Sequence, residues 1–205
     1  MNSVFDKHYR EYDAWYDKNK FVYLSEIEAI RKAIPKQGDG LEIGVGTGRF
    51  AAKLNIGMGI DSSKEMLKIA ASRGVNTRHG FGEDLPFSAE TFDYAAIIVT
   101  LCFVSDPLKV LKEARRVLKP EGRIITAIVD KTSFLGKAYQ KKRNIFYKNA
   151  RFFSAKDLTG LLETAKFSNF SYYQTIFKDP KEIKSIEIPK KGFGEGGFIV
   201  ISAQK

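Results

Sequence analysis

Cysteine and histidine are nearly absent. The 205 residues hold one Cys and two His. That is too few, and too scattered, for a structural zinc site. A lone thiol also excludes a disulfide framework, and Cys102, set inside an apolar stretch, fits a reducing cytoplasm. No apolar run approaches the roughly 18 residues that a membrane helix needs, so no membrane partner is expected. The first twenty residues are charged and aromatic with no apolar h-region, so no secretory signal is expected either. Internal repeats and linker-like shifts in composition are missing as well.

What is present can fold. Hydrophobic residues make up 43% and charged residues 28%, enough for one large α/β domain with a buried core. There are 34 Lys+Arg against 24 Asp+Glu, a formal net charge of +10, and nine of the ten surplus charges fall in residues 131–205. A basic excess attracts nucleic acid, acidic ligands or a membrane surface, or simply solvates a Lys-rich face.

Residues 3–18 and 24–34 carry apolar residues three and four apart and read as helices, the second ending at Pro35. Short apolar runs at 40–45, 57–61, 75–78, 92–100 and 123–129 read as strands. Between them, helices are expected over 49–54, 64–72 and 107–118. Ser62 or Ser63 caps the second of these, and Asp106 followed by Pro107 opens the third. Residues 119–122 read as a turn. Strands alternating with helices predict a parallel sheet in a doubly wound arrangement. After Asp130 the pattern changes. Residues 131–151, basic and aromatic, form a helix or lid. A helix over 155–165 follows, capped by Ser154, and then strands at 167–177 and 193–203 joined by an exposed loop.

The most informative segment is 41–50, LEIGVGTGRF. A strand runs into Gly44, Gly46 and Gly48, with an acid, Glu42, two residues before the first glycine. Glycines let the chain turn sharply and a ligand approach closely. Arg49 stands where the dinucleotide fingerprint needs its third glycine, and no G-K-S/T ending is present. The upstream acid would repel a pyrophosphate and suit an ammonium group. Asp61, 17 residues after Gly44, ends the next strand where a carboxylate accepts both hydroxyls of a ribose.

Glu42–Gly48 with Asp61, then GFGEDLPFSAETFDYAAIIVT, then DPLKVLKEARRVLKPEGRIITAI, resembles the class I S-adenosylmethionine-dependent methyltransferases, closely over 39–130. The resemblance implies a Rossmann-like seven-stranded sheet, mostly parallel with an antiparallel last strand. It also implies S-adenosylmethionine bound by Glu42, Gly44, Gly46 and Gly48 on the methionine side and by Asp61 at the ribose, with Ile60 and Ser62 flanking the adenine. The adenine would lie near Phe81, Gly82 and Glu83, and the methyl group near Val99 and Thr100. Phe81 stands where the family usually carries an Asp on the adenine amine, so Glu83, Asp84 or the Gly82 amide must substitute.

The domain then divides into an N-terminal helical lid (1–38), the cofactor-binding core (39–130) and a basic acceptor-side segment with a C-terminal hairpin (131–205). By the same resemblance, the activity is in-line methyl transfer to a small-molecule acceptor, and the basic segment points to an anionic one. The catalytic candidates are His8, Tyr12 and Tyr16 of the aromatic lid. No metal is expected. Two alternatives are an RNA methyltransferase using Lys141, Lys142 and Arg143 with Phe146, Tyr147, Phe152 and Phe153, and a non-catalytic binding protein on the same fold. Cys102 reads as a buried structural thiol.

Overall fold

The apolar runs become strands and the amphipathic runs between them become helices. The computed structural model describes residues 4–141 and 145–205. Strands β1 (Gly40–Ile43), β2 (Met58–Asp61), β3 (Asn76–His79), β4 (Phe92–Ile98) and β5 (Leu118–Val129) pair in parallel. β6 (Ser168–Thr175) and β8 (Phe198–Gln204) complete the sheet, with β8 antiparallel to both β5 and β6. The strand order is β3-β2-β1-β4-β5-β8-β6-β7. The eighth strand, β7 (Lys190–Lys191), is a two-residue edge pairing with Tyr173 and Gln174 inside the stretch read as a loop. The expected count of seven therefore becomes eight among the described residues. A second difference lies at 119–122, where β5 absorbs the expected turn. It starts at Leu118, shifts register against β4 between Phe92 and Tyr94, and carries Glu121 at φ 63°.

Helices α1 (Val4–Lys18), α2 (Lys20–Arg31), α3 (Arg49–Leu54) and α4 (Lys64–Ser72) precede α5 (Pro107–Val117), α6 (Phe134–Lys141) and α7 (Ala155–Thr164). Their starts follow the capping chemistry. Ser63 Oγ accepts from the Met66 N–H, Asp106 accepts from Lys109, and Ser154 forms a capping box with Asp157. Side chains alternate across the central strands. Ala95 and Ile97 of β4 pack with Val110, Leu111, Leu158 and Leu162 of α5 and α7. Ala96 and Ile98 pack on the opposite face with Ile27, Ile30, Phe50 and Ala70 of α2, α3 and α4. Both faces are covered, which is why the core strands tolerate no polar alternation.

α1 is pinned over one end of the sheet by a charge cluster. Asp13 accepts from Arg49 Nε and Nη2, from Arg73 Nη1 and Nη2, and from Thr47 Oγ1 at 2.6–2.9 Å. Burial pushes the Asp13 carboxyl up, but these donors outweigh it and hold the group well below the usual carboxylate range. Among the described residues no helix is long and apolar enough to cross a membrane.

Candidate functional site

The sheet order reverses between β1 and β4, so the C-terminal ends of these strands open a crevice between diverging connections. A cleft of about 260 Å³ lies there. Gly44 leaves β1 at φ +76°, and a Cβ on it would fall 2.2 Å from Thr100 Cγ2, so the β4 loop sits directly against the bare backbone. Thr100 Oγ1 lies within donating distance of both the Gly44 carbonyl at 3.2 Å and the Ile98 carbonyl at 3.0 Å, which holds the two segments together. Gly46, at φ +53°, lines the cleft opposite Met66 Sδ and Tyr12, and its amide donates to Asp61 Oδ2 at 2.8 Å.

Asp61 is the hinge of this wall. Its Oδ1 accepts from the Ser63 amide at 2.8 Å, so β2, the glycine loop and the start of α4 converge on one carboxylate. Burial raises its pKa, and the Ser63, Gly46 and Ser62 amides hold it down in part. A carboxylate has about four lone-pair positions, so capacity remains for hydroxyl donors from the cleft. Ser62 lines the cleft beside it, with Ile60 and Met66 as apolar walls.

Phe81, Gly82 and Glu83 form the far wall. Phe81 is 60% exposed, a large apolar ring left open at the cleft mouth. Glu83 Oε1 accepts from the Ser105 and Asp106 amides, which clamps the loop after β4. Asp84 does not line the cleft, so of the two candidate acids only Glu83 is placed for the role. Val99 follows β4 at φ 52°, a conformation that a β-branched residue adopts only under constraint, and its amide is tied to the Ala127 carbonyl at 2.8 Å. The strain sits at the wall shared with a second cavity.

That second cavity, about 270 Å³, shares Phe5, Tyr12, Val99 and Phe103 with the cleft. Beyond them it is walled by Trp15, Tyr16, Tyr139, Phe146 and Tyr147 and by two acids, Glu11 and Glu26. The rings brace one another. Phe5 lies 4.9 Å from Phe103 and 5.6 Å from Phe146, and Tyr139 stacks on Tyr147 at 4.9 Å. The Tyr12 and Tyr16 hydroxyls share a hydrogen bond of 2.8 Å. Burial holds both phenols above their ordinary range, so neither supplies a phenolate near neutral pH.

Some sequence candidates lie elsewhere. Gly48 faces Ala70, where a Cβ would come within 2.9 Å, so it serves the packing of α3 on α4 rather than the cleft wall. Glu42 is 1% exposed behind the glycine loop, and its Oε2 has no hydrogen-bond partner. Burial pushes its pKa well up. His8 lines neither cavity and sits 3.3 Å from Glu11 at a kink in α1. Arg49 is committed to Asp13 and Asp17. Burial pushes the Cys102 thiol up to about 12, leaving it protonated and unreactive.

In the basic segment the aromatics turn inward. Phe153 is buried, Phe146 and Tyr147 wall the second cavity, and Phe152 packs on Tyr147 at 5.8 Å. Lys141 is exposed, whereas Lys142 and Arg143 lie outside the described residues. Glu26 was missed at the sequence level. Its one signal was an acid within the helical stripe formed by Val22, Tyr23, Ile27 and Ile30.

A family model described as a methyltransferase domain matches residues 41–126. An uncharacterised protein of Methanocaldococcus jannaschii is 51% identical over 205 residues, covering 99% of both chains. A crystal structure from Thermotoga maritima superposes with a TM-score of 0.96 at 47% identity and 98% coverage of both chains. It is described as a SAM-dependent methyltransferase and possible histamine N-methyltransferase. The demethylmenaquinone methyltransferase of Bacillus licheniformis is 28% identical over 204 residues, covering 91% of this chain and 84% of its own.

Proposed function

Because the chain belongs to the S-adenosylmethionine-dependent methyltransferases, we propose that it methylates a small molecule held in the second cavity. The observation that carries this reading is the wall the two cavities share. Phe5, Tyr12, Val99 and Phe103 line both, so the two spaces adjoin, and in this reading they open into one another where an acceptor in one faces a donor in the other. A volume of about 270 Å³ lies near the lower end of the roughly 300–1,000 Å³ range of small-molecule pockets, which suits a metabolite and is too small for a folded macromolecule.

The residues present fit the donor. Glu42 Oε2 is a buried, orphaned acceptor just behind the glycine loop rather than on the cleft wall, and in this reading a bridging water carries its charge to an ammonium group. Gly46 leaves the cleft wall without a side chain, and Asp61 keeps acceptor capacity for ribose hydroxyls. Ser62, Phe81, Gly82 and Glu83 are then the adenine side, while Val99 and Thr100 lie where the two cavities meet. When bound, S-adenosylmethionine supplies an electrophilic methyl group on a sulfonium.

The protein's own contribution is alignment and exclusion of water. Tyr12 and Phe5 bring the lid over the cleft, and the Asp13 cluster holds that lid down. The strained Val99 and the Gly44–Thr100 contact fix the rim at which the two spaces meet. In this reading lid, core and basic segment act as one domain, and a lone thiol with no disulfide partner suits a cytoplasmic setting. The inward-facing aromatics of 146–153 leave no stacking platform for RNA bases in that segment.

The test is calorimetric titration with S-adenosylhomocysteine, followed by transfer of radiolabelled methyl to metabolite, RNA and protein fractions. Wild type should bind, and Asp61→Ala should bind at least tenfold more weakly, since it removes a charged acceptor worth about 1.5–3 kcal/mol. Label should enter the metabolite fraction. Label confined to RNA or protein would overturn the small-molecule reading.

A further inference from the structure

The second cavity contains a carboxyl group that the fold does not use. Glu26 lies on the buried face of α2, is 6% exposed and lines the cavity. It makes no hydrogen bond or ion pair with any described residue. Burying a carboxyl group unpaired is costly, and a ligand carrying the opposite charge would remove that cost.

The surroundings define such a ligand. The walls are aromatic faces, among them Tyr12, Tyr16, Trp15 and Tyr147, and no Lys, Arg or His lines the cavity among the described residues. Electron-rich ring faces together with a carboxylate attract a cation and repel an anion. The expectation of an anionic acceptor therefore finds no support in this lining. Building on the small-molecule reading above, we propose that the cavity takes a small primary or secondary amine. Glu26 pairs with its nitrogen and accepts the proton that nitrogen must shed before attack.

The balance is simple. The amine enters as an ammonium ion and passes one N–H proton to the Glu26 carboxylate. The freed lone pair forms the N–CH₃ bond as the donor's S–CH₃ bond breaks, with that electron pair remaining on sulfur as a thioether. The methylated ammonium product leaves, and Glu26 returns its proton to solvent. Burial raises the Glu26 pKa to about 8, so its carboxylate is a stronger base than a surface acid.

The pH response follows. Below about pH 8 Glu26 is protonated in the free enzyme, and pairing with an ammonium requires its ionised form, so amine affinity rises with pH up to about 8. The other titratable groups facing it are Glu11 on the cavity wall and the phenols of Tyr12, Tyr16, Tyr23, Tyr139 and Tyr147. Burial raises all five phenols, Tyr23 to about 12, so they remain neutral through this range.

The experiment titrates the full chain, saturated with S-adenosylhomocysteine, with three matched probes: phenethylamine, phenethyl alcohol and 3-phenylpropionate. Butylamine and butanol form a second pair. Each amine should bind at least tenfold more tightly than its alcohol, and the carboxylate most weakly. Glu26→Gln should cut amine affinity at least tenfold and flatten its pH dependence, while S-adenosylhomocysteine binds within twofold of wild type. Glu26→Asp, with its carboxylate drawn back by one methylene, should fall between. Amines that bind no better than alcohols, or a Glu26→Gln protein with intact pH-dependent amine binding, would overturn the proposal. Failure of wild type to bind S-adenosylhomocysteine would instead sink the methyltransferase reading on which it rests.

Discussion

The cleft and the second cavity share a wall but are built from different materials. Gly44, Gly46, Asp61, the residues at 80–83 and the loop after β4 follow one another in chain order, and backbone atoms do much of the work there. The second cavity is assembled from side chains of α1, α2 and α6, the end of β5 and the segment at 146–147, brought together only by packing. Backbone cradles tolerate no added atoms, whereas side-chain boxes change specificity by substitution. One fold can thus keep its donor while its acceptor varies.

The largest expected effect comes from breaking the backbone cradle. In Gly44→Val the new side chain meets Thr100 at 2.2 Å from a φ of +76°, so both strain and overpacking apply. We expect about 2–4 kcal/mol of destabilisation in thermal or urea unfolding, and no measurable binding of S-adenosylhomocysteine at concentrations that saturate wild type. Retained donor binding would mean that the Gly44–Thr100 contact is not a fixed part of the cleft.

A middle-sized effect should separate the two regions. Asp13→Ala leaves Arg49 and Arg73 without their shared carboxylate and loosens α1, which carries Phe5, Tyr12, Trp15 and Tyr16. The expected loss is about 1–3 kcal/mol. Because the folded state depresses the Asp13 pKa, its contribution is complete above the ordinary carboxylate value and lost as pH falls through the folded one. The stability gap between wild type and variant should therefore narrow from about pH 4 downward. Acceptor binding should fall more than donor binding, since every residue lining the cleft except Phe5 and Tyr12 lies outside α1. Equal losses of both would show that the lid closes the two spaces as one.

The same division explains what could be read from the chain. The parallel sheet, the caps at Ser63, Asp106 and Ser154, and the convergence of Gly44, Gly46 and Asp61 all rest on local chemistry: periodicity, turn-forming glycine and short polar side chains. Gly48 is ambiguous in sequence, because a glycine needed for helix packing looks identical to one needed for a ligand, and here it faces Ala70. Glu26 leaves one faint trace, its place in the apolar stripe of α2, because an acid in an amphipathic helix ordinarily faces solvent. Only the packing of α2 against α1, beside the rings that line the second cavity, shows that this one faces rings. Strand β7 was missed for a related reason, since two exposed lysines have no strand signal and pair only because β6 offers an open edge.

The smallest expected effect concerns the surplus charge. Most of it lies in residues 131–205, yet the acceptor cavity beside that segment is lined by acids and rings. Lys181 and Lys184 are exposed and line neither space. Reversing both to Glu lowers the net charge by about four units, and at ordinary ionic strength such surface charges are screened within about 10 Å. Stability should move by less than about 0.5 kcal/mol, and amine binding by less than about twofold between low and high salt. Retention on a polyanion column should drop, because that property depends on the whole field. A larger change in amine binding would mean that the basic surface reaches into the cavity. Acceptor chemistry would then belong to the field of the whole molecule rather than to Glu26 and its rings.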